Sequence, residues 1–343
     1  MKKIAFSQID NLLAAIAATQ KLYMPVETAG QYNYGEWTPG TTYNPDVLHT
    51  VKSAKSVFFP QSEDLIRFKR DGMNLSISPV APEDEDFVVF GVHACDVKGF
   101  AVLDRVFLYD PVDAYYTSRR KHGTIFSVMC KAPEETCFCG AFGIDATEPG
   151  ADVDSWIADD ALVMRANTEK GEKLLESLGS LLTDCDDTAA DQAKAETKEI
   201  LGKLPLADLN TNGFGKDVDL LTLFNRPEWK ELASGCLGCG TCTYVCPTCQ
   251  CYDVRDYNTG KEIQRFRVWD SCMYSDFTMM AHGTNRPDHT QRFRQRFMHK
   301  LVYYPANNDG LYSCVGCGRC LAKCPISMNI VKVMKTLGGK ETC

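Results

Sequence analysis

The sequence contains no run of eighteen apolar residues, so nothing in it reads as a membrane-spanning helix. It also lacks a G-x-G-x-x-G after a strand, a P-loop, an H-E-x-x-H and a C-x-x-C-H, which leaves no sequence basis for bound nucleotide or flavin, a zinc-peptidase site or covalent haem. Histidine is scarce, with six in 343 residues, and no paired carboxylates or activated serine stand out as acid–base machinery. Positive charge is in deficit as well: 37 Lys and Arg against 45 Asp and Glu give a net charge of −8, which argues against a general nucleic-acid binder. The opening "MKKIAFSQIDNLLAAIAA" begins like an export signal, but Ser7, Gln8, Asp10 and Asn11 break its apolar region. It reads instead as a first helix with Ser7 as N-cap and Ile9, Leu12, Leu13 and Ile16 on one face. The expected location is cytoplasmic, where thiols stay reduced.

What is abundant is cysteine. Seventeen thiols in a reducing compartment point to metal and not to cross-links. Cys236, Cys239, Cys242 and Cys246, followed by Pro247, make C-x2-C-x2-C-x3-C-P, and Cys314, Cys317, Cys320 and Cys324, followed by Pro325, make it again. Three closely spaced thiolates on one wrapped loop can each reach a different iron of a cubane, and the fourth is carried off on a helix turn. In two-cluster ferredoxins that fourth cysteine ligates the other cluster. The expected sites are therefore one [4Fe–4S] cluster on Cys236, Cys239, Cys242 and Cys324, and a second on Cys314, Cys317, Cys320 and Cys246. Zinc is the competing reading, but zinc knuckles need neither the third cysteine nor the trailing proline.

The chain divides near residue 220 into two expected domains, 1–220 and 221–343. In the first, "FVVFGVH" (87–93) reads as a strand buried on both faces, "DVKGFAVLDRVF" (96–107) as a helix, and "TIFSVMC" (124–130) as a second strand, together a βαβ unit with parallel strands. "ALVMRA" is a further strand, "TEKGEKLLESLGSLL" a helix capped by Thr168, and "DDTAADQAKAETKEILGKL" an exposed helix. After Phe224 the strand pattern disappears. The segments "SDFTMMAH" and "RPDHTQRFRQRFMHKLV" look helical, so an all-helical ferredoxin-like dicluster domain is expected to follow the partly parallel α/β domain.

Cys95 and Cys130 fall at the carboxyl ends of two parallel strands and so face one edge of the sheet, where open α/β folds bind ligands. With Cys137 and Cys139 they suit two readings: a third [4Fe–4S] cluster, in which Asp96 or His93 replaces one thiol because Cys137 and Cys139 are awkwardly close, or a set of buried structural thiols. Cys249, Cys251 and Cys272 are likewise either ligands of something else or thiols buried beside clusters. Cys185 and Cys343 read as incidental. The basic stretch from Arg265 to Lys300, with Arg267, Arg286, Arg292, Arg294 and Arg296, reads as a solvated face that locally offsets negative clusters, or as a docking surface.

From about Lys55 to Leu337 the chain resembles a family of dicluster iron–sulfur proteins. The family includes the dicluster component of anaerobic sulfite reductase, the beta subunit of cytoplasmic nickel–iron (sulf)hydrogenases and relatives linked to heterodisulfide reductase. The resemblance rests on "VHACDVKGFAVLDRVFL", "YYTSRRKHG", "CKAPEETCFCGAFG", "CGTCTYVCPTCQCYDVRD", "VWDSC", "RFRQRFMHK" and "CVGCGRCLAKCP". It implies a non-catalytic subunit that relays single electrons between a flavin- and NAD(P)-binding partner and a terminal catalytic subunit. It also brings "ACD" and "CFC" into the family pattern. A free-standing dicluster carrier and an iron–sulfur redox sensor are the alternatives. The carrier does not need more than two hundred N-terminal residues, and the sensor lacks a recognition helix.

Overall fold

The computed structural model describes residues 1–260 and 262–338; Cys343 lies outside them. The strands of its two larger sheets, in chain order, are β1 (Lys2–Ala5), β2 (Lys21–Thr28), β3 (Gln31–Glu36), β4 (Ser62–Asp71), β5 (Asn74–Pro79), β6 (Phe87–Val92), β7 (Gly123–Ser127), β8 (Val153–Ala158), β9 (Ala161–Ala166), β10 (Thr183–Asp184), β11 (Tyr252–Asn258) and β12 (Glu262–Trp269). Eight of them form a mixed sheet in the order β10-β1-β9-β8-β7-β6-β2-β3, in which β2, β6, β7 and β8 run parallel. Every residue of β6 is buried, which is what its unbroken apolar run requires of a strand covered on both faces. The helix Ala94–Phe107 leaves the end of β6, and a second helix, Ala114–His122, leads back into β7, completing the expected βαβ unit.

The first helix begins at Ile9 and buries Ile9, Leu12, Leu13 and Ile16 as its periodicity predicts. Its N-cap is Gln8, not Ser7, because the preceding residues are taken up by β1 and a 3-10 turn, Phe6–Gln8. Thr168 caps the helix Glu169–Ser177 through its side chain, and the helix Asp191–Gly202 buries Thr197 alone.

The expectation of an all-helical second domain is overturned. β11 and β12 form a hairpin, and β12 pairs with β4, giving a four-stranded antiparallel sheet, β11-β12-β4-β5, built from both halves of the chain. β4 is distant in sequence, so nothing local announces it, and charged residues mask the alternation of "EIQRFRVW". Arg267 is one of these, and it is buried, not solvated: its Nε donates to Glu63 Oε2 at 2.6 Å, and Asp113 and Arg119 complete the network. "SDFTMMAH" is not a helix either, but a 3-10 turn followed by a two-residue strand. The helix His289–Met298 does form, opened by a capping box of Asp288 and Gln291, and runs on into a π-helical turn, His299–Tyr303. It packs with the helices Glu228–Ser234 and Ile330–Leu337 around Trp229, Phe293, Phe297, Leu301 and Met334. No helix among the described residues is long and apolar enough to cross a membrane.

Candidate iron–sulfur centres

The two cysteine repeats fold alike. In each, the loop carries two left-handed glycines, Gly238 and Gly240 or Gly316 and Gly318, and the second glycine caps a one-turn helix, Thr241–Tyr244 or Arg319–Ala322. The helix turn carries the last cysteine of each repeat away from its own loop. The result is two cavities. One is lined by Cys236, Cys239, Cys242 and Cys324, together with Met273 and Met328. The other is lined by Cys246, Cys314, Cys317 and Cys320, together with Arg296 and Lys300. Each cavity thus draws three cysteines from one repeat and the fourth from the other.

These surroundings fit an anionic, thiolate-ligated group. Arg296 and Lys300 are one helical turn apart and buried, and among the described residues neither has a carboxylate within ion-pair reach. Lys300 Nζ donates to Cys246 Sγ at 3.4 Å, Thr248 Oγ1 at 2.9 Å and Ser313 O at 2.8 Å. The Nε of Arg296 and the Oγ of Ser313 are buried without a hydrogen-bond partner. A lone buried cation is costly. Burial alone would lower the pKa of both groups, but the sulfurs of Cys246 and Cys249 beside Lys300, and of Cys242 and Cys320 beside Arg296, outweigh it and raise both. Burial pushes the thiols of Cys314 and Cys317 up to about 12 and about 11, so a bound metal must displace their protons. The first cavity also has a backbone donor: the N–H of Gly238 reaches Cys236 Sγ at 3.4 Å.

Two glycines are fixed by close approach. A Cβ on Gly316 would lie 2.3 Å from Phe138 O, and one on Gly240 would lie 2.5 Å from the hydroxyl oxygen of Tyr274. The first contact brings the second repeat against the "CFC" loop, where the N–H of Phe138 donates to Gly316 O at 2.9 Å. Cys95 stands in the first turn of its helix and Cys130 just beyond β7, so both lie at the carboxyl edge of the parallel strands. Cys95, Cys130, Cys137 and Cys139 are all buried, and burial pushes Cys130 and Cys137 up to about 12 and Cys139 to about 11. Cys95 and Cys139 pack with Val315 and Cys317 of the second repeat. Of the two substitutes considered for a thiol ligand, Asp96 has both oxygens engaged by Arg319, at 2.6 and 2.8 Å, and His93 Nδ1 is bonded to Val128 O at 2.7 Å.

The inward role of Arg296 and Lys300 was missed in the sequence, where they read as part of an exposed or docking surface. Their i, i+4 spacing among Phe293, Phe297 and Leu301 was the available signal. Buried Lys55 was missed too: its Nζ donates to Cys249 O at 2.9 Å and sits 3.8 Å from the centre of the Trp269 ring.

The fold and the paired thiol cavities define a protein of the dicluster iron–sulfur class, and the profile of the 4Fe-4S dicluster domain matches residues 235–328. Along nearly its whole length the chain is 33% identical to the sulfhydrogenase 2 subunit beta of Pyrococcus furiosus, over 316 residues that make up 92% of this chain and 91% of that protein. It belongs to this family of dicluster iron–sulfur subunits, electron-transfer proteins of oxidoreductases.

Proposed function

We propose that this chain is the electron relay of a cytoplasmic multi-subunit oxidoreductase, joining a flavin- and NAD(P)-binding partner to a terminal catalytic subunit, and that it carries no flavin and no catalytic residue of its own. The observation that carries the reading is the crossed lining of the two cavities, three cysteines from one repeat and one from the other. Two [4Fe–4S] clusters would be held by Cys236, Cys239, Cys242 and Cys324, and by Cys314, Cys317, Cys320 and Cys246, with a third on Cys95, Cys130, Cys137 and Cys139. Bound clusters supply reversible one-electron transfer.

The chain's own residues set where electrons enter and at what potential. Cys239 is exposed and Leu237, two residues before it, is 66% exposed, whereas Cys317, Cys95, Cys130, Cys137 and Cys139 are buried. The first cavity therefore lies at the surface a redox partner would touch, and the other two thiol sets lie inward of it. Arg296 and Lys300 offset negative charge around the second cavity, and the Gly238 N–H does so at the first. The domains 1–220 and 221–343 would act as one body through β4 and β12. The sulfhydrogenase relative makes a hydrogenase-type complex the favoured assembly.

Anaerobic purification from the native cell, with iron and sulfide counted per chain, tests the reading. The expected result is about twelve irons, with a flavoprotein and a catalytic protein copurifying. A monomer without partners would refute it. Cys246→Ser should disturb the cluster on the second repeat and Cys324→Ser the cluster on the first; loss at the same repeat instead would refute the crossed ligation.

A further inference from the structure

The four-stranded sheet ends on one side at β5, and among the described residues no strand pairs with the outer side of β5. An open edge is a template for another chain, and edges are commonly guarded by charge or by shortness. Two other edge strands are guarded in that way: β11 carries Asp253, Arg255 and Asp256, and β10 has two residues. β5 has neither guard. From Gly72 to Pro82 the chain has no charged residue, and all six residues of β5 are exposed. Leu75 and Ile77 stand on one face of the sheet, 61% and 58% exposed, so no part of the described chain covers them.

The bonding pattern of the β4–β5 hairpin determines which backbone groups remain. The Val80 N–H donates to Leu65 O at 2.9 Å, so Val80 and, by alternation, Ser78, Ser76 and Asn74 turn their N–H and C=O towards β4. Met73, Leu75, Ile77 and Pro79 therefore turn theirs outward. A second β5 running antiparallel, with Ser76 opposite Ser76, sets Leu75 against Ile77, Met73 against Pro79 and Asn74 against Ser78. Apolar meets apolar and polar meets polar. In that register Leu75 exchanges both backbone bonds with Ile77 of the second copy, and the missing N–H of Pro79 costs one bond at each end.

Charge fits the same arrangement. The turn end of the hairpin carries Lys69 and Arg70, whose nearest strand carboxylates, Asp64 and Glu262, are taken by Arg67, and Arg70 Nε donates to Gly72 O at 2.9 Å. The other end of β5 leads into Glu83, Asp84, Glu85 and Asp86. An antiparallel pair sets the basic end of each copy towards the acidic end of the other, so one strand supplies both complementary halves.

We propose that β5 is a self-association edge, to which a second copy of this chain adds antiparallel about Ser76 to make one continuous sheet across a two-fold axis. No residue of β5 lines either thiol cavity, so the edge can be altered without touching the expected cluster ligands, and the proposal stands apart from the relay reading. Pairing over one short strand is a small interface, so it depends on concentration.

The test uses the full chain, isolated anaerobically with its iron, in sedimentation velocity from low to high micromolar concentration. The expected result is a shift from one chain towards two as concentration rises, lost in Ile77→Lys with iron per chain unchanged. Register is read by cross-linking. Opposed residues of a non-hydrogen-bonded pair have Cα atoms about 4.5 Å apart, within disulfide reach. Under mild thiol oxidation Ser76→Cys should therefore give a peptide linked to its own copy, whereas Ser78→Cys, opposite Asn74, should not. A chain that stays monomeric, a dimer that Ile77→Lys leaves intact, or equal linking through Ser78→Cys would overturn the proposal. Protection of the β5 amides from hydrogen exchange only when another protein copurifies would overturn it too, by giving the edge to that protein.

Discussion

Replacing Lys300 by methionine removes one buried positive charge while nearly keeping the side chain's length, and it should lower the reduction potential of the cluster at the second repeat. The sign follows from charge: reduction adds an electron, and a nearby cation stabilises the more negative state, so its loss favours the oxidised one. The magnitude follows from position. Lys300 Nζ lies 3.4 Å from Cys246 Sγ. An added electron spread over the iron and sulfide beyond that sulfur would sit about 6–8 Å away, where one unit charge at an effective dielectric constant of about 20 is worth about 2–3 kcal/mol. For a one-electron couple, at about 59 mV per tenfold change, that is on the order of 100 mV. The change should leave the fold intact, because Thr248 Oγ1 also donates to Ser313 O at 2.9 Å and the two groups freed by Lys300 satisfy each other. The assay is a redox titration followed by electron paramagnetic resonance, with Lys300→Arg as the charge-preserving control. A potential in Lys300→Met that is unchanged, or higher than wild type, would refute the placement of this charge beside the cluster.

Asp96→Ala strips the partner from buried Arg319 and should cost about 3–5 kcal/mol. Thermal unfolding of the iron-loaded protein measures it, and Asp96→Leu combined with Arg319→Leu should recover most of the loss. Gly316→Ala would place a methyl group 2.3 Å from Phe138 O at a φ of +59°, so iron at the second repeat should fall while the first repeat keeps its own; an unaltered iron count would contradict the close approach. Chelation of iron under reducing conditions should make the helix His289–Met298 more open to amide hydrogen exchange, since Arg296 and Lys300 would lose the charge that offsets them. Unchanged protection there would mean that another group neutralises these two cations.

What the sequence disclosed depended on whether the signal was local. The repeats are local, since each packs its glycines, its one-turn helix and four cysteines into twelve residues. The β6 strand is equally local, because burial on both faces forces an unbroken apolar run. β11 and β12 escaped because β12 depends on β4, and because Arg267 looks like a surface charge until Glu63 and Asp113 are brought to it. Arg296 and Lys300 escaped for the matching reason: a charged residue reads as exposed until its surroundings are known, and here the groups beside the two cations are cysteine sulfurs from other segments.

The same reasoning accounts for the size of the N-terminal half. A carrier with two clusters needs only the repeats, yet here the second repeat is fastened to the N-terminal half at three points. Arg319 grips Asp96 with both terminal nitrogens and Thr50 O with its Nε at 3.0 Å. Gly316 O accepts from the Phe138 N–H, and Gly318 is pressed against Thr136, where an added Cβ would lie 2.6 Å from the carbonyl oxygen. Each attachment falls on a residue inside the cysteine motif, between Cys314 and Cys320, so the helix that follows β6 and the loops at Thr50 and Thr136–Phe138 hold the second thiol cavity directly. Meanwhile the first cavity keeps its exposed edge at Leu237 and Cys239. The inner thiols are thereby held rigid against the buried N-terminal cysteines, and the outer ones stay open for a partner. That asymmetry suits a protein through which electrons pass in sequence better than it suits a carrier that meets its partners by collision.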